Sequence, residues 1–401
     1  MENKNSTKPV SRSWSLRKKI IVSLSIPLSL FLLFYLSVIL LFVKSDTSKD
    51  TPLYRGRNIP DTLQTPLNNS FGHFTEPLEI VKDLDLKGKI IVMTGAHTGT
   101  GKEAAKAFIS KGATVVALTN DVDWAEKNLK GLPRVEIEYL DLQKPETIDA
   151  FTRKFLVSGR QIDVLINSAG IHNTPLQRDV RGYERQFSVN VLGHFALTLK
   201  LLPALKKANG ARIVNLSSRG HRLNGVQFGE INFNHTKYDG MRSYAQTKTA
   251  LALLSVKEDE MFKRYNIRAF AVHPGPIPTT DLFAGSLVGY ASGFKVWYTE
   301  FTAKCLRTFW GTEIMNFLRK PKNEGDKFKT VIQGGSTTAW AAFSPELKGK
   351  GGLYLEDCDI APIVPNGSDA PFGVRPWALE RKAADKIWDI CQRMTGVYYR
   401  E

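Results

Sequence analysis

From residue 89 onward, short runs of aliphatic and β-branched residues alternate with longer segments of helical period. The pattern predicts strands over 89–94, 114–118, 134–140, 163–167, 212–216 and 267–273. Helices are predicted between them, over 101–111, 123–130, 144–157, 181–207 and 244–265, with a further helix at 333–343 and a last strand at 352–355. Most strand runs are apolar almost throughout, as suits strands covered on both faces. Parallel neighbours need a crossover connection, so strands separated by helices build a parallel sheet with helices on both sides. The fold class is therefore α/β, a doubly wound parallel sheet in a single domain.

An earlier stretch follows neither period. Ile20–Val43 runs for 24 residues without a charge, which is about 36 Å of helix against about 30 Å of bilayer hydrocarbon. It predicts one N-terminal transmembrane helix and a lipid bilayer as partner. A signal peptide has a shorter apolar core and a small-residue cleavage pattern, which is lacking before Lys44. A core helix seldom stays apolar on every face over such a length. The flank 1–19 holds six Lys and Arg against four in the 20 residues after Val43. That tilts slightly toward a cytosolic N-terminus, and the side faced by the folded domain stays open. Asn68, Asn234 and Asn366 head glycosylation sequons suited to a lumenal domain, yet Asn215 heads another inside a predicted strand. Residues 44–85, polar and carrying Pro52, Pro60, Pro66 and Pro77, read as a stalk before a folded domain over 86–401.

Composition narrows the classes further. The 401 residues carry 55 Lys and Arg against 39 Asp and Glu, and 42% are hydrophobic, which excludes disordered, collagen-like and many-pass membrane proteins. The surplus of +16 is spread along the chain. Without a basic run or interleaved aromatics it argues against nucleic acid and is compatible with an anionic lipid surface. Cys305, Cys358 and Cys391 lie far apart, so neither a disulfide framework nor a zinc site is expected. His97, His194, His221 and His273 lack metal-ligand spacing, and no metal is expected.

Chemistry enters at Thr94-Gly95-Ala96-His97-Thr98-Gly99-Thr100-Gly101, placed between the first strand and the helix after it. Glycines there allow a tight turn, close approach of backbone to a pyrophosphate, and helix-on-strand packing, with the helix N-terminus facing the anion. This spacing resembles the TGxxxGxG motif of the short-chain dehydrogenase/reductase family, and over residues 86–280 further motifs fall in family order. Asn167-Ser168-Ala169-Gly170 is similar to the motif after strand four, Asp141 with Leu142 to the acidic turn after strand three, and His273-Pro274-Gly275 with Ile277 and Thr279 to the segment beside the nicotinamide. The resemblance implies a Rossmann-type fold with NAD or NADP as cofactor. It implies cofactor contacts from Gly95, Thr98, Gly99, Thr100, Gly101, Thr119, Asp141, Leu142, Asn167, Ala169, Gly170, Tyr244, Lys248, Pro274, Gly275, Ile277 and Thr279. At the end of strand two, Thr119 stands where retinol-dehydrogenase-like members usually carry Arg. The family group leans to NADP, and the nearby Asp121 leans away from it.

Tyr244-Ala245-Gln246-Thr247-Lys248 places a phenol and an ammonium on one helix face. Nearby positive charge is expected to draw the phenol pKa down from about 10 toward the working range. Ser217 and Ser218 follow the strand at 212–216, at the carboxyl end where open α/β sheets bind ligands. By resemblance the catalytic residues are Asn190, Ser218, Tyr244 and Lys248. Tyr244 passes the proton, Ser218 holds the substrate oxygen, and Asn190 holds a water that links Lys248 to solvent.

After Thr280 the chain carries an insertion. Residues 284–330 hold nine aromatics and eight Lys and Arg against four Asp and Glu, which fits an apolar lid over a lipophilic substrate, a membrane-contacting helix, or packing over the sheet edge. Cys358 has no evident base partner. The expected protein is a single-pass membrane oxidoreductase, placed by resemblance in the endoplasmic reticulum, acting on a carbonyl or alcohol of a lipid, retinoid or sterol-like molecule. A homodimer is a further expected assembly. The alternatives are a dinucleotide-binding scaffold or sensor without turnover, and a membrane tether.

Overall fold

The computed structural model describes residues 64–278, 312–313, 316–317, 321 and 323–400. The chain divides into a first unit, Met1–Lys49, and a second, Asp50–Glu401. The flank 1–19, the transmembrane reading of 20–43, Thr279 and most of the insertion at 284–330 lie outside the described residues.

Seven parallel strands and one antiparallel edge strand form a single sheet in the order β3-β2-β1-β4-β5-β6-β7-β8. They are β1 (Ile90–Thr94), β2 (Thr114–Thr119), β3 (Val135–Tyr139), β4 (Val164–Asn167), β5 (Arg212–Leu216), β6 (Arg268–His273), β7 (Leu353–Glu356) and β8 (Asp359–Ile360). Each strand predicted from periodicity is present, and the sheet is the expected Rossmann type. The two-residue β8, which pairs antiparallel with β7, is too short to show in a pattern.

Side-chain alternation along the strands feeds two cores. On one face Val92, Val116, Leu165 and Ile213 pack with α3 (Pro145–Val157), α4 (Arg185–Lys207), α5 (Gly240–Phe262) and α7 (Arg381–Thr395). On the other, Ile91, Met93, Val115, Ile166 and Val214 pack with α1 (Gly99–Ser110), α6 (Ser336–Phe343) and Leu129 of α2 (Val122–Leu129). Burial on both sides is why these runs lack polar alternation. α4 is also the helix among the described residues long and apolar enough to cross a membrane. Its apolar window is 89% buried within the fold, which makes it a core helix.

Three features depart from the sequence pattern. The stalk assigned to 44–85 ends earlier than expected, because residues 64–85 pack on the sheet. The Gln64 amide donates to the Ala361 carbonyl at 2.8 Å, Asp359 accepts from the backbone of Leu67 and Asn68, and Val81 is fully buried. Isolated polar contacts made with distant residues leave no periodicity to read. Within α4, the turn Ser188–Gly193 is π-helical. Gly193 lies where a Cβ would stand 2.5 Å from the Leu142 carbonyl, so the helix rests on the turn after β3. Finally, α7 closes the helical layer. Trp388 meets Phe195 of α4 edge to face at 5.1 Å and Phe262 of α5 at 6.0 Å.

Trp388→Ala is expected to cost about 3–5 kcal/mol, seen as a lower urea midpoint with unchanged slope. An unchanged midpoint would show that α7 is not part of the folded unit.

Candidate active site

Parallel register brings the motifs side by side. Thr94 at the end of β1 lies opposite Asn167 of β4, and Asn167 opposite Asn215 of β5. The strand order reverses between β1 and β4, so the crevice opens beyond their carboxyl ends. The Thr94 hydroxyl accepts from the backbone N–H groups of Ser168 and Ala169, each at 3.0 Å, and pairs with His194 Nε2 at 2.9 Å. With both of its acceptor sites taken, Thr94 gives its own proton to Nε2. His194 Nδ1 then donates to the Asn190 carbonyl at 2.9 Å. Burial, reinforced by the Lys248 charge and opposed by the Asn190 bond, holds the imidazole pKa down to about 4. The ring is neutral.

The glycine turn fits a nucleotide phosphate by its clearances. Gly95 adopts φ 72°, and a Cβ there would stand 3.0 Å from the Ala169 nitrogen. At Gly101 a Cβ would lie 2.2 Å from the Gly95 carbonyl. Gly99, Thr100 and Gly101 form the first turn of α1 with Thr98 at its N-cap, so free N–H groups line the turn. Gly334 and Gly335, which motif reading passes over, carry the start of α6 against this turn. A Cβ on Gly334 would meet Ile277 at 2.2 Å and Thr100 at 2.5 Å. Gly275, at φ 103°, similarly makes room for the buried Lys329 side chain.

Two expected cofactor contacts point elsewhere. Asn167 is buried, and its amide donates to Thr198 at 3.1 Å and to Asn215 at 2.8 Å. As the last residue of β4 it faces the helical layer, with its neighbours Ala169 and Gly170 left at the crevice. Asn215 in turn donates to Glu258 at 2.7 Å, and burial pushes that carboxyl up to about 8. The Asn215 sequon is thus sealed in the core. Thr119 is buried too, its hydroxyl exchanging hydrogen bonds with the Asp121 backbone. Asn120 and Asp121 are the exposed residues of that turn, and Asp121 caps α2 by accepting from Trp124 N at 3.0 Å. Asp141 and Leu142 sit where expected at the end of β3, with one Asp141 oxygen accepting from Gln143 N at 3.0 Å.

The structure brings all four expected catalytic residues together. Ser218 Oγ accepts from Gly220 N at 3.1 Å, and a Cβ on Gly220 would stand 2.9 Å from the Tyr244 ring and 3.5 Å from that Oγ, so the serine and the phenol flank one small gap. Ser217 instead gives its hydroxyl proton to the Lys248 carbonyl at 2.7 Å, so Ser218 is the serine that meets the phenol. The Lys248 ammonium donates to the Leu216 carbonyl at 2.6 Å and lies 5.4 Å from the Tyr244 ring centre. The expected acidification of the phenol is not found. Burial raises Tyr244 to about 12, with the nearby Ser218 hydroxyl pulling the other way, and burial brings Lys248 down to about 7. Inside this site desolvation outweighs the attraction between the two charges.

Asn190 differs from expectation as well. Its Oδ1 accepts from Ile171 N at 2.9 Å, while Nδ2 donates to the Ile171 carbonyl at 2.9 Å and to Thr247 Oγ1 at 3.1 Å. With the amide protons both used, Asn190 clamps the loop after β4 to the residue preceding Lys248. His172, absent from the motif reading, meets the Tyr244 ring edge to face at 4.3 Å. Burial and the nearby Lys248 charge hold it down to about 4. It follows Gly170 by two positions, where no spacing rule marks it.

Comparison with known proteins identifies a family and a shared fold. The family described as short chain dehydrogenase matches residues 89–286. Short-chain dehydrogenase/reductase prx1 of Penicillium roqueforti is 30% identical over 331 residues, 80% of this chain and 90% of that protein. Retinol dehydrogenase 11 of Mus musculus is 30% identical over 301 residues, 74% of this chain and 86% of that protein. A solved structure from Mycobacterium Paratuberculosis, 24% identical, shares the fold at a TM-score of 0.57, covering 80% of this chain and 98% of its own.

Lys248→Met should uncouple stability from pH. The folded ammonium titrates at about 7 against 10.5 unfolded, so between these values the unfolded chain binds more protons and stability rises with pH. The cost of the buried charge is complete below about 7 and absent above about 10.5. The variant is therefore expected to exceed the wild type by about 1–3 kcal/mol at neutral pH, a gap closing toward pH 10.5 in denaturant titrations. A gap independent of pH would contradict a buried ammonium.

Proposed function

The chain belongs to the short-chain dehydrogenase family, and on that premise we propose that it interconverts a carbonyl and an alcohol on a lipophilic substrate at a membrane. The observation that carries this is the Ser218 hydroxyl beside the Tyr244 ring, both facing Gly220 in the crevice beyond β1 and β4, with Lys248 one turn along the same helix. An NAD(P) nicotinamide supplies or takes the hydride when bound. The residues fit to hold it are the glycine turn 95–101, Asp141 and Leu142 at the end of β3, Ala169 and Gly170 after β4, and Pro274 to Ile277 after β6.

In the reducing direction Tyr244 gives the proton from its hydroxyl to the substrate oxygen. A phenol held near 12 is protonated at neutral pH, and so starts as the acid. Ser218 donates to the same oxygen as negative charge gathers there. Lys248, near neutrality in pKa, refills the proton on Tyr244. Asn190 keeps Ile171 and Thr247 in place. Oxidation runs these steps backward, with the phenol oxygen accepting the alcohol proton.

Support for a lipophilic substrate comes from the likeness to a retinol dehydrogenase together with the charge-free stretch Ile20–Val43, which would hold the enzyme in a membrane such as the endoplasmic reticulum. The aromatic-rich composition of 284–330 suits such a substrate. NADP is the cofactor favoured by the retinol-dehydrogenase-like group, and the solvent-facing carboxylate of Asp121 opposes it.

Detergent-solubilised full-length protein should oxidise or reduce members of a panel of long-chain and isoprenoid alcohols and aldehydes with NAD(P). Tyr244→Phe is expected to lower kcat about 10²–10⁴-fold, leaving cofactor affinity within about twofold. Cofactor binding with no turnover of any panel member by the wild type would favour the scaffold. Asp121→Asn keeps the helix cap while removing a charge. It is expected to tighten NADPH about fivefold over NADH by fluorescence titration. Equal effects on both cofactors would place Asp121 away from the ribose.

A further inference from the structure

We propose that Tyr354 and His221 are positioning residues that set the reach of the Ser218 hydroxyl by gripping its main-chain carbonyl. This rests on the reading of Ser218 as the group that holds the substrate oxygen. Tyr354 lies on β7 and His221 in the 3-10 turn Arg219–Arg222, both fully buried. The Tyr354 hydroxyl donates to the Ser218 carbonyl at 3.0 Å, and His221 Nδ1 donates to the same oxygen at 2.7 Å. The direction of the second bond follows from the far side of the ring, where the Arg375 backbone N–H donates to Nε2 at 3.2 Å. Nε2 is therefore the acceptor, and Nδ1 carries the proton.

The pair is braced. The two rings lie 4.6 Å apart, Trp377 Nε1 donates to the His221 carbonyl at 3.0 Å, and Thr249 of α5 donates to that carbonyl at 3.2 Å. Thr249 immediately follows Lys248, so the same brace references Ser218 to the helix carrying Tyr244. Rotating the Ser218 peptide would leave the buried Tyr354 hydroxyl proton without an acceptor and His221 Nδ1 with only the Tyr354 oxygen, 3.0 Å away, which holds the carbonyl in one orientation. The side chain is then fixed at its own end by Gly220 N, and its hydroxyl is delivered toward Tyr244. Residues 353–377, outside the glycine turn and the Tyr-Lys helix, thereby act on the reacting oxygen through Ser218.

Tyr354→Phe retains the ring and removes one donor. In full-length protein with a substrate it turns over, kcat is expected to fall about tenfold, with KM for NAD(P) within about twofold. The decisive readout is a double-mutant cycle. In a Ser218→Ala background the same change should cost less than about twofold, because there is no hydroxyl left to misplace. An equal loss in both backgrounds, or a shift in thermal midpoint or cofactor KM alone, overturns the proposal. If Tyr354→Phe fails to fold, Trp377→Phe, which removes the donor to the His221 carbonyl, should show the same non-additivity at smaller size, and additivity there also overturns it. Ser218→Ala by itself separates the two levels. A loss under about tenfold defeats the reading of Ser218 and the positioning proposal with it, whereas a loss above about 10²-fold beside an additive Tyr354→Phe defeats the positioning proposal alone.

Discussion

The Thr94 hydroxyl is the point on which the crevice depends. At the end of β1 it takes the N–H groups of Ser168 and Ala169, and so holds the loop after β4 against the glycine turn. Its own proton goes to His194, which passes the constraint to the carbonyl of Asn190. Asn190 in turn grips Ile171 and Thr247. Four segments distant in sequence are thus joined through one buried chain of donors and acceptors. Thr94, His194, Asn190 and Thr247 are buried, and a break would strand a polar partner in the core, which is why such networks specify a single arrangement.

Burial also decides the electrostatics. Tyr244 and Lys248 share a helix face, yet their pKa values move apart, the phenol up and the ammonium down, because desolvation penalises the charged form of each. Near pH 7 the phenol is therefore neutral and the ammonium stands close to losing its proton. Glu258 and His194 follow the same rule, neutral near pH 7 because water is excluded from them.

Packing around the site is tight where the chain has no side chain to spare. The Cβ clearances at Gly101, Gly193, Gly275 and Gly334 all fall at or below 2.5 Å. Each glycine lies where two elements meet at the crevice: α1 on β1, α4 on the turn after β3, the loop after β6 on Lys329, and α6 on α1. Gly101 and Gly193 abut backbone carbonyls, while Gly275 and Gly334 make room for the side chains of Lys329, Ile277 and Thr100.

Sequence alone determined the doubly wound sheet and the ends of its strands, because burial on both faces writes unbroken apolar runs between helical segments. It also determined the glycine turn and the Tyr244–Lys248 spacing, since these are local patterns whose geometry follows from one turn or one helix. What only the tertiary structure decided is where polar side chains point and what lies against them. Asn167 turns into the core, Asn190 is spent on Ile171 and Thr247, and Ser218 meets Tyr244 while Ser217 meets the Lys248 carbonyl. Gln64, Tyr354 and Trp388 join the fold through partners far along the chain, and no period or spacing encodes such contacts. The phenol pKa belongs to the same class, because it depends on how completely water is excluded, and that is settled only when every layer is packed.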